Sequence, residues 1–421
     1  MEKTRMRERS HRVAIIGAGV VGCLVAYGLR DCPDVEVICI DKGPPENELA
    51  GTGLNVGPNS LKILRQFSPE LADSLQSPGV SLPWESWVAG LTDGTVIFDL
   101  PLSQVAENAG IRIRWAELYR QLRQPLGDRI RYNTIALSMG YRDSDRLYLE
   151  IENQKTGIRE AFEDIDLIVG CDGRYSQVRS SFFGGSPTPE HLGVCLYRLL
   201  VPQKGGLIAD YQQWFYNGSR LLSFAIPGDE VYIAGSFPLD ASLEIRDDQK
   251  TVEYLRQCYT PPQGLSPVCQ FLVDAVCEHI EEIHWARVQD IPIVFGDEGG
   301  RVLCLGDASH AMYPTLGQGA SQAFEDGCYV GALLRQALQE SLVDFPALVA
   351  RVEQVRRDRI TFVRQFSREA SDSLLAGSHP VAELQAKTQP AFLAKLRRLY
   401  QDTPLLAEAL TLGGKKDSPA T

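Results

Sequence analysis

The chain has 421 residues, of which 44% are hydrophobic and 23% are charged. This composition is typical of a soluble globular protein, and the length favours two or three domains. The net charge of −12 argues against a nucleic-acid partner, because that role needs a basic surface facing phosphate.

The ten cysteines contain no C-x-x-C pair, so the sequence predicts no zinc ribbon, and we assign no metal ligands. Several cysteines lie in apolar runs, such as Cys39 within Val37–Ile40 and Cys304 within Val302–Leu305. We expect these thiols to be small buried side chains in a reducing compartment. The predicted location is therefore cytoplasmic.

The composition of the N-terminus resembles that of a signal peptide or signal anchor, because residues 1–12 are basic and Val13–Leu29 is almost wholly apolar. The apolar run has 17 residues, whereas a membrane-spanning helix needs about 20. Clustered glycines within the run fit a strand, a turn and a helix better. We therefore predict no membrane span.

Three predicted elements open the chain. His11–Ile16 and Val35–Ile40 have the apolar character of buried strands, and Val20–Arg30 between them has that of a helix. A strand, a helix and a strand at this spacing predict a βαβ unit.

The turn of this unit carries a dinucleotide fingerprint, Gly17-Ala18-Gly19-Val20-Val21-Gly22. Its glycines permit a tight turn, close approach of a pyrophosphate and packing of the helix on the strand. Asp41 lies 19 residues after Gly22, where a carboxylate accepts both ribose hydroxyls of an adenosine. A plain glycine-rich turn would not explain Asp41. The predicted contacts are Gly17, Gly19, Val20, Val21, Gly22, Asp41 and Lys42.

The middle of the chain continues the alternation of elements. We predict a loop at Gly43–Gly57, helices at Pro58–Phe67 and Ala116–Leu126, and strands at Arg146–Ile151 and Ile165–Val169.

A second motif, residues 172–179, follows the last of these strands. Asp172 is a candidate cofactor contact. The alternative is an ordinary turn in which Asp172 caps a helix and Arg179 lies on a solvated face. The residues alone leave both readings open.

Residues 184–290 alternate polar and apolar and contain many aromatic side chains, which predicts an antiparallel sheet and a second domain. Tyr197 and Arg198, on its first strand, are candidates for orienting an anionic or phenolic substrate. Alternation places Trp214 and Tyr216 on one face and Phe215 on the other. For Tyr197 and Arg198 a cross-strand surface pair is an equally good interpretation. For the three aromatic residues plain core packing is at least as good an interpretation as substrate contact.

Gly306-Asp307 follows the predicted strand Val302–Leu305 and distinguishes FAD from NAD. A carboxylate at this strand end binds a ribityl hydroxyl, and a helix that opens near Gly319 aims N–H groups at the flavin N1/O2 edge. Pro314, Gly317 and Ala320 are predicted to lie along that edge. His310 is expected to be a packing residue rather than a base.

From Gly319 onward the chain is predicted to be helical. The charged stretch Pro346–Leu374 is typical of a solvated or packing helix, and we assign it no catalytic role.

Taken together, these motifs resemble those of the class A flavoprotein aromatic hydroxylases, the p-hydroxybenzoate hydroxylase family. The matching segments are GAGVVG (17–22), CDGRYSQVR (171–179), GDASHAMYPTLGQGASQAFEDG (306–327) and the flavin-side loop 51–59. The resemblance covers residues 11–370, and within the family it is nearest to hydroxypyridine hydroxylases such as those acting on 6-hydroxynicotinate.

The resemblance implies an α/β fold with three parts. These are a discontinuous Rossmann-like FAD-binding domain (11–183 and 291–345), an inserted antiparallel substrate domain (184–290) and a C-terminal helical segment (346–412).

It also implies that NAD(P)H, bound transiently, reduces FAD, and that a flavin C4a-hydroperoxide formed with O2 hydroxylates a small aromatic or heteroaromatic ring. The implied catalytic residues are Asn55, Tyr216 and Pro314, and the candidate substrate contacts are Tyr197, Arg198 and Trp214. A monomer or a homodimer is expected.

Two positions depart from the family pattern. Trp115 stands where many members carry an arginine that contacts the pyrophosphate, and the nearest cation, Arg114, is one residue earlier. Asn55 stands where some pyridine hydroxylases carry a histidine, and an amide does not shuttle a proton. A flavin-dependent epoxidase, Baeyer–Villiger oxygenase or reductase, and a flavin-bound protein without catalysis, therefore remain alternatives.

Overall fold

The structure, a computed structural model, describes residues 11–45, 51–143, 145–240, 242–339, 343–404 and 406. Most of the basic N-terminal segment, and residues 407–412 of the predicted C-terminal segment, lie outside the described residues. No described helix is both long and apolar enough to cross a membrane. All ten cysteines are free thiols, and seven of them are buried.

The strands, in chain order, are β1 His11–Ile16, β2 Val35–Ile40, β3 Gly53–Val56, β4 Leu82–Trp84, β5 Ser86–Leu91, β6 Val96–Pro101, β7 Gly110–Arg114, β8 Ile130–Arg131, β9 Thr134–Asp143, β10 Arg146–Asn153, β11 Arg159–Ile165, β12 Leu167–Gly170, β13 Glu190–Pro202, β14 Tyr211–Tyr216, β15 Ser219–Ile226, β16 Glu230–Pro238, β17 His284–Asp290 and β18 Val302–Cys304. The helices are α1 Val20–Leu29, α2 Pro58–Phe67, α3 Pro69–Leu75, α4 Trp115–Arg123, α5 Gln177–Phe182, α6 Val252–Tyr259, α7 Pro267–Glu278, α8 Asp307–His310, α9 Gln318–Ala337, α10 Phe345–Glu369, α11 Pro380–Ala386 and α12 Pro390–Gln401.

A five-stranded sheet in the order β18-β12-β1-β2-β8 forms the first layer. β1 pairs in parallel with β2 and β12, and β12 pairs in parallel with β18. The apolar runs of these strands are buried, as expected when a parallel sheet is covered on both faces. Their carboxyl ends meet at one edge, which therefore collects Gly17, Asp41, Asp172 and Asp307.

The local elements predicted near the N-terminus are confirmed. β1, β2 and α2 have the predicted bounds, and α1 ends one residue early. The predicted helix Ala116–Leu126 differs, because α4 ends at Arg123 and a 3₁₀ turn follows. Pro125 explains the change, since proline has no N–H to continue the α-helical ladder.

A seven-stranded sheet in the order β17-β13-β16-β15-β14-β5-β6 forms the second layer. Most of its strands come from 190–290, but β5 and β6 come from 86–101 and pair with β14 and with each other. One face of the sheet packs on α6 and α7 in a core of its own. The other face belongs to the main core and to a large cavity.

A buried charged cluster joins α9 and α10. The expectation of a solvated face on 346–374 is wrong for Arg356, which is fully buried. Its Nε donates to Asp326 (2.7 Å) and its Nη1 to Glu325 (2.6 Å). Arg359 donates to Glu325 from the next turn (2.8 Å). This cluster could not be predicted from the sequence. Charged residues are almost never fully buried unless they are paired, and the sequence alone does not show which residues pair.

Burial by itself would raise the pKa of Glu325 and Asp326, but the nearby cations lower it to about 2 in each case. Arg359 and Arg356 act on Glu325, and His310 and Arg356 act on Asp326. Because both pKa values fall below those of an unfolded chain, the stabilisation is present above about pH 4 and is lost toward pH 2.

We predict that Arg356→Met lowers the free energy of unfolding by about 3–5 kcal/mol at pH 7, because it leaves two buried carboxylates short of a cation. Urea unfolding followed by circular dichroism measures this. The matched control is Arg357→Met, since Arg357 is half-exposed and forms its ion pair with Glu353 on the same helix. That control should change stability by less than about 0.5 kcal/mol. The deficit of Arg356→Met should shrink as pH falls from 4.5 to 2; a deficit independent of pH would contradict the assignment.

Candidate functional site

A cavity of about 770 Å³ lies between the edge of the parallel sheet and the second sheet. Its volume is within the range of small-molecule sites. One side, the cofactor wall, is formed by the loops that follow the parallel strands. The other, the sheet wall, is formed by the inner face of β13–β17. The lining residues used below are Gly17, Gly19, Asp41, Arg123, Asp172, Asp307, Pro314, Gly317 and Gly319 of the cofactor wall, and Leu196, Arg198, Tyr211, Arg220, Leu222, Tyr232 and Ala234 of the sheet wall.

Close backbone contacts explain the fingerprint turn. A methyl group at Gly22 would lie 1.9 Å from the carbonyl oxygen of Gly17, and one at Gly17 would lie 2.4 Å from that of Cys171. Gly19 faces open space and begins α1 without a side-chain cap. The N–H groups of the α1 N-terminus are thus free for an anion, which fits a pyrophosphate. Val20 and Val21 line the cavity beside them, whereas Gly22 does not.

Asp41 is fixed in place by the turns around it. Its Oδ2 accepts from the Ala18 N–H and its Oδ1 from the Gly43 N–H, both at 2.8 Å. The carboxylate remains at the cavity, next to Lys42. This position fits the predicted ribose contact.

Arg123 is a cavity residue that the sequence prediction missed. From α4 it donates to the Ala18 carbonyl (3.0 Å), and its guanidinium lies 3.4 Å from Asp41. It also lies over the Tyr119 and Tyr132 rings, at 4.9 and 5.3 Å from their centroids. The sequence did contain a sign of this role. Arg123 lies eight residues after Trp115, about two turns along the same helix, so it is a second cation near the position where the family pattern expects an arginine.

Arg114, the cation considered at sequence level, does not line the cavity. It forms an ion pair with Glu230 at 3.2 Å. The predicted cofactor contact of Arg114 is therefore corrected, because this side chain is directed to β16. Trp115 lines the cavity instead.

Asp172 accepts hydrogen bonds from a helix N-terminus and also lies at the cavity. It accepts from the Gln177 N–H (2.7 Å) and the Val178 N–H (3.2 Å) and so caps α5, yet it also lines the cavity. Burial raises its pKa, and the hydrogen bonds from Ser176 and the backbone oppose that rise.

Arg179 is buried, so the solvated-face reading is wrong for this residue. Its guanidinium donates to the carbonyls of Pro292 (2.7 Å), Ser309 (3.0 Å) and Ala308 (3.2 Å). The segment around Asp172 therefore holds the backbone of the loop that carries Asp307.

Asp307 is exposed to the cavity and forms no side-chain hydrogen bond with any described residue. Behind it, the Gly306 N–H donates to Asp326 at 2.8 Å. Gly317 begins α9 without a side-chain cap, so the first N–H groups of that helix are also free. A free carboxylate and an uncapped helix end fit the ribityl chain and the pyrimidine edge of a flavin. Pro314 and Ala320 line the same stretch.

His310 is buried, and its Nε2 lies 2.7 Å from Asp326. It packs behind the loop as expected and does not line the cavity.

The sheet wall is partly basic and partly aromatic. Arg198, Arg220, Tyr211 and Tyr232 line it among apolar side chains, and Asn55 enters the cavity from β3. Of the three substrate contacts named from the sequence, only Arg198 is brought to the cavity.

The other two substrate candidates lie on the far face of the sheet. Tyr197 is fully buried and donates to the Tyr259 hydroxyl at 2.8 Å, and Trp214 packs in the same second core. Tyr216, named as catalytic, does not line the cavity either. The structure therefore corrects the predicted cavity contacts of Tyr197, Trp214 and Tyr216. Successive side chains of a strand point to opposite faces of the sheet, so Tyr197 faces away from the cavity when Arg198 faces it.

Residues 293–367 match the family described as an FAD binding domain. The 6-hydroxynicotinate 3-monooxygenase of Pseudomonas fluorescens is 26% identical over 345 residues, which cover 78% of this chain and 83% of that protein. The 3-amino-4-hydroxybenzoate 2-monooxygenase of Streptomyces cremeus is 28% identical over 389 residues, covering 86% of this chain and 89% of that protein. The chain is therefore similar over most of its length to monooxygenases of aromatic and heteroaromatic rings, and its segment 293–367 matches an FAD-binding family.

Its fold is shared by solved structures of this class. Klebsiella pneumoniae HpxO, complexed with FAD and uric acid, aligns with a TM-score of 0.77 and 21% identity over 94% of this chain and 98% of that chain. The 2,6-dihydroxypyridine-3-hydroxylase of Arthrobacter nicotinovorans aligns with a TM-score of 0.65 and 18% identity over 88% of this chain and 94% of that chain. The cofactor of this chain is FAD. The glycine turn, the carboxylates and the uncapped helix ends of the cofactor wall have the chemistry that FAD requires.

We predict that Arg123→Gln weakens FAD binding about 10- to 100-fold, because charge-assisted hydrogen bonds at the adenosine diphosphate end are lost. Binding of riboflavin, which lacks both phosphates and the adenosine, should not change. Quenching of flavin fluorescence on titration into apoprotein measures both affinities. Arg120→Gln is the matched control, since Arg120 lies on the same helix but pairs with Glu117 at the surface. Equal losses of FAD and riboflavin affinity would refute the assignment of Arg123 to the adenosine diphosphate end.

We predict a different pattern for Asp307→Ala. FAD and FMN affinity should fall together, because both flavins carry the ribityl chain that this carboxylate is placed to accept. The thermal midpoint of the apoprotein should stay within a few degrees, since Asp307 bonds to no described side chain. A variant that retains FAD as tightly as the parent would exclude the ribityl contact.

Proposed function

We propose that this chain uses NADH or NADPH, O2 and bound FAD to insert one oxygen atom into a small, planar aromatic or heteroaromatic ring. The observation that carries the proposal is the cavity of about 770 Å³ with its two unlike walls. A flavin held along the cofactor wall by Asp307 and the α9 N-terminus would face a sheet wall that is apolar with a few basic and phenolic groups. That wall suits a flat ring with polar substituents.

The protein's part is to bind, orient and exclude water, because bound FAD supplies the electron transfer and oxygen activation. The free N–H groups of α1, with Arg123, would hold the pyrophosphate. Those of α9 would stabilise negative charge that builds at the pyrimidine edge. Pro314 would pack along the flavin edge, and Asn55 would donate a hydrogen bond to the ring or its hydroxyl.

The relatives support a hydroxylated ring as the substrate. Those compared above are named for 6-hydroxynicotinate and 3-amino-4-hydroxybenzoate, and one structural neighbour was solved with uric acid. All three compounds are small and planar and carry electron-rich positions. A ring of this kind fits between the walls of the cavity.

We also propose that the protein works in the cytoplasm, as a monomer or a homodimer. Its free and mostly buried cysteines support a reducing compartment. Size-exclusion chromatography with light scattering measures the oligomeric state.

We predict that product formed under 18O2 carries one labelled oxygen atom per turnover, and that NADH or NADPH oxidation accelerates when a hydroxylated ring is added. Mass spectrometry of products from a panel of hydroxybenzoates and hydroxypyridines measures the label. Reactions without the ring, or with unlabelled O2, are the controls. Product without label would contradict hydroxylation by O2.

A further inference from the structure

Asp290, the last residue of β17, is a fully buried carboxylate that does not line the cavity. Two arginines of α10, one turn apart, each donate two hydrogen bonds to it. Arg364 donates from Nε (3.0 Å) and Nη2 (3.1 Å), and Arg368 donates from Nε (2.8 Å) and Nη2 (2.9 Å). Each planar guanidinium thus binds both oxygens of the carboxylate. These four hydrogen bonds join the last turns of α10 to the end of β17.

The residue after Asp290 holds a loop that lines the cavity. The Ile291 N–H donates to the Ala311 carbonyl at 3.1 Å. Ala311 begins the segment 311–317, here called the proline loop, which connects α8 to α9. Ala311 and Pro314 both line the cavity on the cofactor wall. The backbone that Asp290 anchors therefore supports the start of the proline loop.

The end of α10 packs against the same loop. The Arg368 guanidinium lies 5.5 Å from the centroid of the Tyr313 ring, and Tyr313 is buried without lining the cavity. Just after α10, the hydroxyls of Ser371 and Thr315 are hydrogen-bonded at 2.5 Å. The proline loop is therefore held from behind by the end of β17 and by the last turn of α10.

The proline loop leads directly into the N-terminus of α9. The Gly317 N–H donates to the Pro314 carbonyl at 2.9 Å, and α9 begins at Gln318 without a side-chain cap. Negative charge builds at the pyrimidine edge of a flavin on reduction, and the dipole of a helix N-terminus stabilises such charge. The position of the proline loop therefore determines how strongly α9 stabilises reduced FAD.

We propose that Asp290 is a positioning residue that raises the reduction potential of bound FAD. It does so without touching the cofactor, because its hydrogen bonds with Arg364 and Arg368 keep the proline loop and the α9 N-terminus against the flavin. A higher potential makes reduction by NADH or NADPH more favourable. The inference rests on the proposed placement of the flavin along the cofactor wall, and it does not depend on which ring is oxygenated.

The charge of Asp290 acts on the flavin in the opposite direction. Loss of a negative charge leaves Arg364 and Arg368 in excess, and positive surroundings favour the anionic reduced flavin through space. That effect alone would raise the potential of an Asp290→Asn variant. Loss of positioning would lower it, so the sign of the shift distinguishes the two effects.

The test measures the midpoint potential of FAD bound to Asp290→Asn and to the parent protein. Each FAD-loaded protein is reduced without oxygen beside a dye of known potential, and the flavin and dye absorbances give the difference. Reduced FAD should be bound about tenfold less tightly, relative to oxidised FAD, than in the parent, which is a shift of about −30 mV for a two-electron couple. Arg368→Lys keeps the charge but not the two-point contact, and its potential should also move negative.

The matched control is Asp166→Asn. Asp166 is also a buried carboxylate; it accepts from the Arg12 N–H at 2.9 Å and pairs with Arg146. It precedes β12 and so lies at the amino end of the parallel sheet, opposite the cofactor edge. Both Asp→Asn variants should lower the thermal midpoint of the apoprotein. Only Asp290→Asn should shift the potential of bound FAD.

Three results would overturn the proposal. The first is an unchanged potential in Asp290→Asn, since this would leave a purely structural role. The second is a positive shift, since this would assign the effect to charge alone, and the third is an equal negative shift in Asp166→Asn. If Asp290→Asn does not fold, Arg368→Lys decides, and no shift in that variant would refute positioning. A negative shift specific to this cluster, together with product lacking 18O, would retain the positioning role and refute the proposed reaction.

Discussion

The buried carboxylate of Asp326 is the constraint on which the site depends. It accepts the Gly306 N–H, contacts His310 and pairs with Arg356, so one side chain joins the loop after β18 to α9 and α10. A carboxylate in this position is stable only with its cation, and both must be desolvated together. Because Asp326 holds the loop from behind, Asp307 is left free to face the cavity.

The two walls of the cavity differ in how far their charged side chains are paired within the protein. On the cofactor wall, side chains such as Asp41 and Arg123 are partly satisfied by the protein and complete a site for a large, charged cofactor. On the sheet wall, Arg198 and Arg220 have no ion-pair partner among the described residues.

The cofactor wall could be predicted largely from the sequence because it depends on local order. Gly17, Asp41 and Asp307 each follow a predicted strand of one parallel sheet, so their convergence follows from topology alone. The faces of the second sheet could not be predicted this way. A shift of one residue exchanges the two faces of a strand, and the register needed to separate Tyr197 from Arg198 is set by the neighbouring strands.

The central claim is that the fingerprint turn and the loop carrying Asp307 form one FAD site per chain. The most direct measurement is the flavin content of the purified protein, before and after incubation of apoprotein with FAD. The account predicts a yellow protein that reaches about one FAD per chain and releases FAD, identified by its mass, on denaturation. A colourless protein that takes up no added FAD would contradict it.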